Sequence, residues 1–110
     1  MHELSITQSV VTTVSERLPD ATVRRIRLEI GRLSGVAADS VRFCFDMVAE
    51  GTPLDGAVLE ITESSGRARC RSCGEEFEVN DLLALCDCGS ADLELLAGQE
   101  LLIKEVEVAA

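Results

Sequence analysis

The sequence predicts an α/β (α+β) fold: two helices packed on a small mixed sheet, with a cysteine-rich segment inserted ahead of the final strand. Three observations carry this expectation. Apolar residues recur at helical spacing in two stretches, 3–18 and 39–52. They alternate with polar ones in three others, 23–33, 57–62 and 100–108. Between the second and third of these, four of the five cysteines fall between positions 70 and 88.

Glu3 to Leu18 reads as the first helix. Leu4, Val11, Val14 and Leu18 recur at helical spacing, Thr and Ser lie between them, and Pro19-Asp20 ends the element. Val23 to Leu33, "VRRIRLEIGRL", alternates Ile26, Leu28 and Ile30 with Arg25, Arg27 and Glu29. That is a half-buried strand, its arginines a solvated face rather than a binding patch. Asp39 is placed to cap the second helix, "DSVRFCFDMVAEGT". Val41, Cys44, Phe45 and Val48 then form one core-facing stripe, and Gly51 is a stop signal.

Ala57, Leu59 and Ile61 alternate with Glu60 and Thr62 as a second strand. The tail "ELLIKEVEV" reads as the last, with Val106 and Val108 set against Glu105 and Glu107. The expected division is one domain from 1–65 plus 99–110 and an inserted one at 66–98. A segment that leaves and rejoins one sheet needs neighbouring anchor points.

Composition narrows the function. At 110 residues the chain is about one domain's worth. Its net charge of −10 repels phosphate backbones, and three Phe with no Trp or Tyr leave little surface for base stacking, so nucleic acid is not an expected partner. No apolar run approaches the roughly 18 residues of a membrane span, and the start lacks the pattern of a secretory signal. A cytoplasmic location with no membrane partner is expected.

In such a compartment clustered cysteines point to a metal before disulfides. Cys70 and Cys73 form C-x2-C, Cys86 and Cys88 form C-x-C, and Gly74 and Gly89 follow the two pairs. Glycine tolerates the φ > 0 that a tight knuckle needs. Four thiolates around tetrahedral Zn(II) make a closed, structural site. The expected insertion is therefore a zinc-ribbon domain, whose few apolar residues would rely on roughly 10–16 kcal/mol of apparent zinc-binding energy. The spacing of C-x-C requires Asp87 to sit in a turn, since an extended strand would send the two sulfurs to opposite faces. Arg67, Arg69 and Arg71 stand beside the first knuckle as candidates to offset the −2 of a Zn(Cys)4 centre. Iron is the rival metal, disfavoured by the scarcity of aromatics. Cys44, on the core stripe, reads as a small buried hydrophobe.

A closed zinc site explains stability, not activity. The only histidine is His2, so no Ser-His-Asp or Cys-His set can form, and no phosphate-binding glycine loop is present. An enzyme is not expected. His2 itself has two readings. It is a frayed terminal residue, or it joins the Met1 amine, its own backbone nitrogen and one further backbone donor in a plane, the geometry that Ni(II) and Cu(II) accept.

"MHELSITQSVV", "GRLSGVAADSVRFCFDMVAEGT", "CRSCG…CDCGSADLEL" and "LLIKEVEV" resemble, in this order and along essentially the whole chain, the HypA/HybF family of hydrogenase-maturation nickel metallochaperones. The resemblance implies transported Ni(II) at Met1, His2 and Glu3, and structural Zn(II) at Cys70, Cys73, Cys86 and Cys88. It also implies delivery to the large subunit of a [NiFe]-hydrogenase with a HypB-type GTPase, by a monomer or weak homodimer. One departure concerns the second knuckle, which is C-x-C where the family pattern has C-x2-C. The alternative is a structural zinc-ribbon module that docks a protein partner and has no nickel role.

Overall fold

The computed structural model describes residues 2–109. Helix α1 spans Glu3–Arg17, strand β1 Val23–Gly31, helix α2 Ala38–Ala49 and strand β2 Val58–Ser64. Three short strands follow, β3 (Gly66–Cys70), β4 (Glu76–Val79) and β5 (Leu93–Ala97), before β6 (Leu101–Val108). The strands form two sheets of three, ordered β2-β1-β6 and β4-β3-β5. The Cα radius of gyration, 17.1 Å, exceeds the roughly 13 Å of a compact chain this long. Two sheets laid end to end account for the excess.

In the first sheet β1 is central, parallel to β2 and antiparallel to β6. α2 makes the crossover that a parallel pair requires. Ile26, Leu28 and Ile30 alternate inward from β1 and pack with Val10, Val11 and Val14 of α1 and Val41 and Phe45 of α2. The buried stripe of α1 is Thr7, Val10, Val11 and Val14, whereas Leu4, placed on it by spacing alone, is 46% exposed. The helix is rotated so that Thr7 faces inward, where its Oγ1 donates to the Glu3 carbonyl at 2.6 Å, so the hydroxyl is buried without losing a partner.

α2 differs from expectation at its start. Its N-cap is Ala37, and Asp39 lies inside the first turn, paired with Arg42 at 2.6 Å. Asp39 still places negative charge near the helix N-terminus, where the dipole favours it. The stop signal holds: Gly51 has φ 77° just beyond the helix.

On the far face of the sheet the arginines meet carboxylates. Arg25 reaches Glu60 at 3.1 Å and Glu107 at 2.9 Å, and Arg27 reaches Glu60 at 3.6 Å. Arg27 pairs with Glu105 and Leu28 with Ile103, so Lys104 is an unmatched bulge in β6. Val106 packs on the core, but Val108, at the strand's end, is 45% exposed.

The two sheets meet at a triad of glycines. A Cβ on Gly31 would lie 2.0 Å from the Gly98 carbonyl oxygen, and one on Gly98 would lie 2.5 Å from the Gly66 Cα. The ends of the inserted segment are therefore neighbours. Backbone bonds cross the same point, from Gly31 N–H to Glu100 O and from Leu33 N–H to Gly98 O, both at 2.8 Å. Leu33 passes beyond the junction and is buried with Ala68 and Val79, in the core of the second sheet.

Candidate metal centres

The second sheet holds the cysteines at one end. β3 terminates at Cys70, and the chain turns at once: Gly74 N–H donates to the Cys70 carbonyl at 2.8 Å, with Gly74 at φ 80°. At the other knuckle Gly89 N–H donates to the Cys86 carbonyl at 2.8 Å, with Gly89 at φ 91°. The first closure spans i to i+4 and the second i to i+3. The missing residue of C-x-C is thus absorbed by a tighter turn that contains Asp87, as the spacing requires. Ser72 Oγ and Ser90 Oγ, 3.0 Å apart, tie the knuckles together.

One ligand atom from each of Cys70, Cys73, Cys86 and Cys88 lies within 4.8 Å of all the others. Cys70 and Cys88, and Cys73 and Cys86, are each paired at 3.6 Å between sulfurs. Thiolates at 2.3 Å from one tetrahedral ion stand about 3.8 Å apart, so the constellation fits Zn(II) without rearrangement. The leading cysteine of each pair is buried and the trailing one exposed.

The electrostatics ask for a cation. The Cys73 N–H, with that of Ser72, stabilises the Cys70 thiolate and holds its pKa down to about 6. At Cys86 the Cys88 N–H acts in the same direction, but burial and the neighbouring sulfurs outweigh it and push the thiol up to about 12. Four sulfurs this close do not ionise together on their own, and a divalent ion removes that conflict. Two of the three neighbouring arginines are committed to other carboxylates. Arg69 pairs with Glu76 at 3.1 Å and Glu94 at 3.5 Å, and Arg71 with Asp92 at 3.0 Å. Those two guanidiniums are neutralised by strand neighbours, contrary to the role that their position beside the knuckle implied.

The other candidate site lies on the first unit. His2 is exposed and immediately precedes α1, its carbonyl accepting the Ile6 N–H at 2.9 Å. Glu3 begins the helix, and its Oε2 accepts the Ala37 N–H at 3.2 Å. A carboxylate from α1 thereby does for α2 what the glutamate of a capping box does within one helix. Met1 lies outside the described residues.

The model of a family described as "Hydrogenase/urease nickel incorporation, metallochaperone, hypA" matches residues 1–108. This chain belongs to the HypA family. The hydrogenase maturation factor HypA of Trichormus variabilis is 52% identical over 108 residues, covering 98% of this chain and 96% of the relative. That of Geobacter metallireducens is 44% identical over 109 residues, covering 98% and 99%. The solution structure of the Ni metallochaperone HypA from Helicobacter pylori matches in fold, with a TM-score of 0.69 at 23% identity, over 100% of this chain and 99% of that one. HypA proteins are metal carriers in hydrogenase maturation rather than enzymes.

The structure brings the four cysteines into one cluster and sets His2 and Glu3 on a separate unit from it. Two positions of this HypA chain escaped sequence reasoning. Ala37 partners Glu3 across 34 residues, and neither side chain type signals it. Leu33 looked like the end of a strand, yet it fills the core of the second sheet. The nearby Gly31, which lets the chain pass under Gly98, was the available hint.

Proposed function

We propose that this chain binds Ni(II) through Met1, His2 and Glu3 and delivers it for insertion into the large subunit of a [NiFe]-hydrogenase, in the cytoplasm and together with a HypB-type GTPase. Cys70, Cys73, Cys86 and Cys88 hold a structural Zn(II). Residues 1–65 with 99–110 form the nickel-binding domain and 66–98 the inserted zinc ribbon. The observation that carries the reading is the setting of His2: exposed at the start of α1, beside a residue whose carboxylate is tied to the Ala37 amide. The tie supports a terminus that is anchored yet accessible. Donors on such a terminus can be displaced stepwise by an acceptor without unfolding the domain. Among the described residues no helix is long and apolar enough to cross a membrane, in keeping with this role.

The test is a Ni(II) titration of zinc-loaded protein, followed by absorbance and calorimetry, with His2→Ala and a variant carrying one extra Gly before Met1. The native chain is expected to take up about one nickel with a planar-type spectrum, and both variants to lose it. Amine, amide and imidazole must all shed protons to bind the metal, so affinity should fall as pH is lowered. Equal binding by all three proteins would remove the terminus from the site.

A further inference from the structure

β6 is the outer strand of the first sheet, and among the described residues no strand pairs with its far side. Proteins blunt such edges with charge or bulges. Here a bulge at Lys104 interrupts the edge but leaves Leu102 and Ile103 42% and 38% exposed. Between this strand and α1 runs a groove of about 490 Å³, walled by Val10, Val14 and Leu18 on one side and Leu101, Ile103 and Val106 on the other. Beyond Leu101 it continues into a second hollow of about 300 Å³ that reaches Ile6 and Val36. The groove thus follows α1 back toward His2.

The opposite face of the strand has different chemistry. Glu105 and Glu107 stand there with Glu29 and Glu60, four carboxylates against the guanidiniums of Arg25 and Arg27. The excess of negative charge matches the −10 of the whole chain.

The geometry points to strand addition: an extended segment of a basic partner protein pairs with the free edge of β6, its alternate apolar side chains entering the α1–β6 groove and the intervening Lys or Arg side chains lying over Glu105 and Glu107. The twofold period of a strand is what separates the two chemistries. Backbone bonds supply affinity in this mode, and alternate side chains supply selectivity. A helix in the groove would satisfy its own backbone and leave the edge unmet. A second copy of this chain is opposed by charge, since it carries the same net −10.

The probe is a fluorescein-labelled decapeptide of alternating Lys and Val, followed by fluorescence anisotropy with zinc-loaded full chain. Its controls are a Glu/Val decapeptide and the Lys/Val peptide N-methylated throughout. Both controls should bind at least about tenfold more weakly, the first by charge and the second for want of backbone donors. Thr13→Arg, at an exposed helix position on the groove wall, should weaken the Lys/Val peptide about tenfold while circular dichroism and zinc content stay unchanged. Equal binding of the N-methylated peptide, or indifference to Thr13→Arg, overturns the proposal. So does a dimer in light scattering that Ile103→Lys converts to monomer, since the edge then serves a second copy. The assay contains no nickel, so its failure leaves the proposed nickel site standing.

Discussion

Replacing Gly31 by alanine should pull the two units of the molecule apart. The added Cβ would stand 2.0 Å from Gly98 O, 2.3 Å from Gly98 C and 2.9 Å from Gln99 N, all backbone atoms that cannot rotate away. An ordinary contact needs about 3.4 Å or more, so the β5–β6 connection must retreat by more than about 1 Å. Over-packing of this kind costs about 1–3 kcal/mol. The retreat also strains the bonds from Gly31 N–H to Glu100 O and from Leu33 N–H to Gly98 O, each worth about 1 kcal/mol. The sum is about 3–5 kcal/mol, a large share of the 5–15 kcal/mol that holds a typical domain. At roughly 4 °C per kcal/mol, Tm should fall by about 12–20 °C. Thermal unfolding by circular dichroism measures this, with zinc content determined alongside. Zinc should be retained, because neither knuckle is touched. Gly35→Ala is the control: its φ of 78° is strained for alanine, but nothing lies within 4 Å of the new Cβ. It should cost only about 1–2 kcal/mol. A Gly31→Ala protein melting no lower than this control would refute the close approach of the two units.

Two further outcomes follow from the sites. Because the Cys70 pKa is held at about 6, its proton is already gone at neutral pH, so zinc uptake near pH 7.5 should release fewer than four protons. The sign is set by competition: as pH falls through about 6 the thiol reprotonates, the count rises and zinc affinity drops. Calorimetry in buffers of different ionisation enthalpy gives the count, and four protons at pH 7.5 would mean that the backbone amides do not stabilise that thiolate. At the other site, Glu3→Ala should free the Ala37 amide, accelerating its hydrogen exchange about tenfold while Phe45 in the same helix is unaffected. Glu3→Gln, which keeps an acceptor oxygen, should leave the Ala37 amide protected, and NMR exchange rates distinguish the two. Unaltered exchange in the alanine variant would remove Glu3 from the start of α2.

The division between what was legible and what was not follows the range of the interactions. Val41 and Phe45 repeat at the helical period, Ile26, Leu28 and Ile30 at the strand period, and these local rhythms placed the two helices and the three strands of the first sheet. The knuckles were legible for the same reason. Cysteine spacing and the glycines at positive φ are properties of four or five consecutive residues, and the strain of C-x-C correctly required a turn at Asp87. β3, β4 and β5 are not legible as strands, because four- or five-residue strands carry too few alternations to register.

Tertiary structure decided the rest. Spacing put Leu4 on the buried stripe and left Thr7 off it. The packed helix reversed both, since burying Thr7 costs little once its hydroxyl has the Glu3 carbonyl and no local pattern encodes that bond. The start of α2 moved from Asp39 to Ala37 because a carboxylate 34 residues away in sequence is adjacent in space. Arg69 and Arg71 turned from the cysteines to Glu76, Glu94 and Asp92, since cross-strand register, not proximity in sequence, sets which charges meet. The sequence alone determined the two helices, the three strands of the first sheet, the thiolate set and the family of the chain, because each rests on residues a few places apart or on motifs in a fixed order. Only the folded chain joined Gly31 to Gly98, Glu3 to Ala37 and Leu33 to the second core, because contacts made across dozens of residues are chosen by packing and leave no periodic trace.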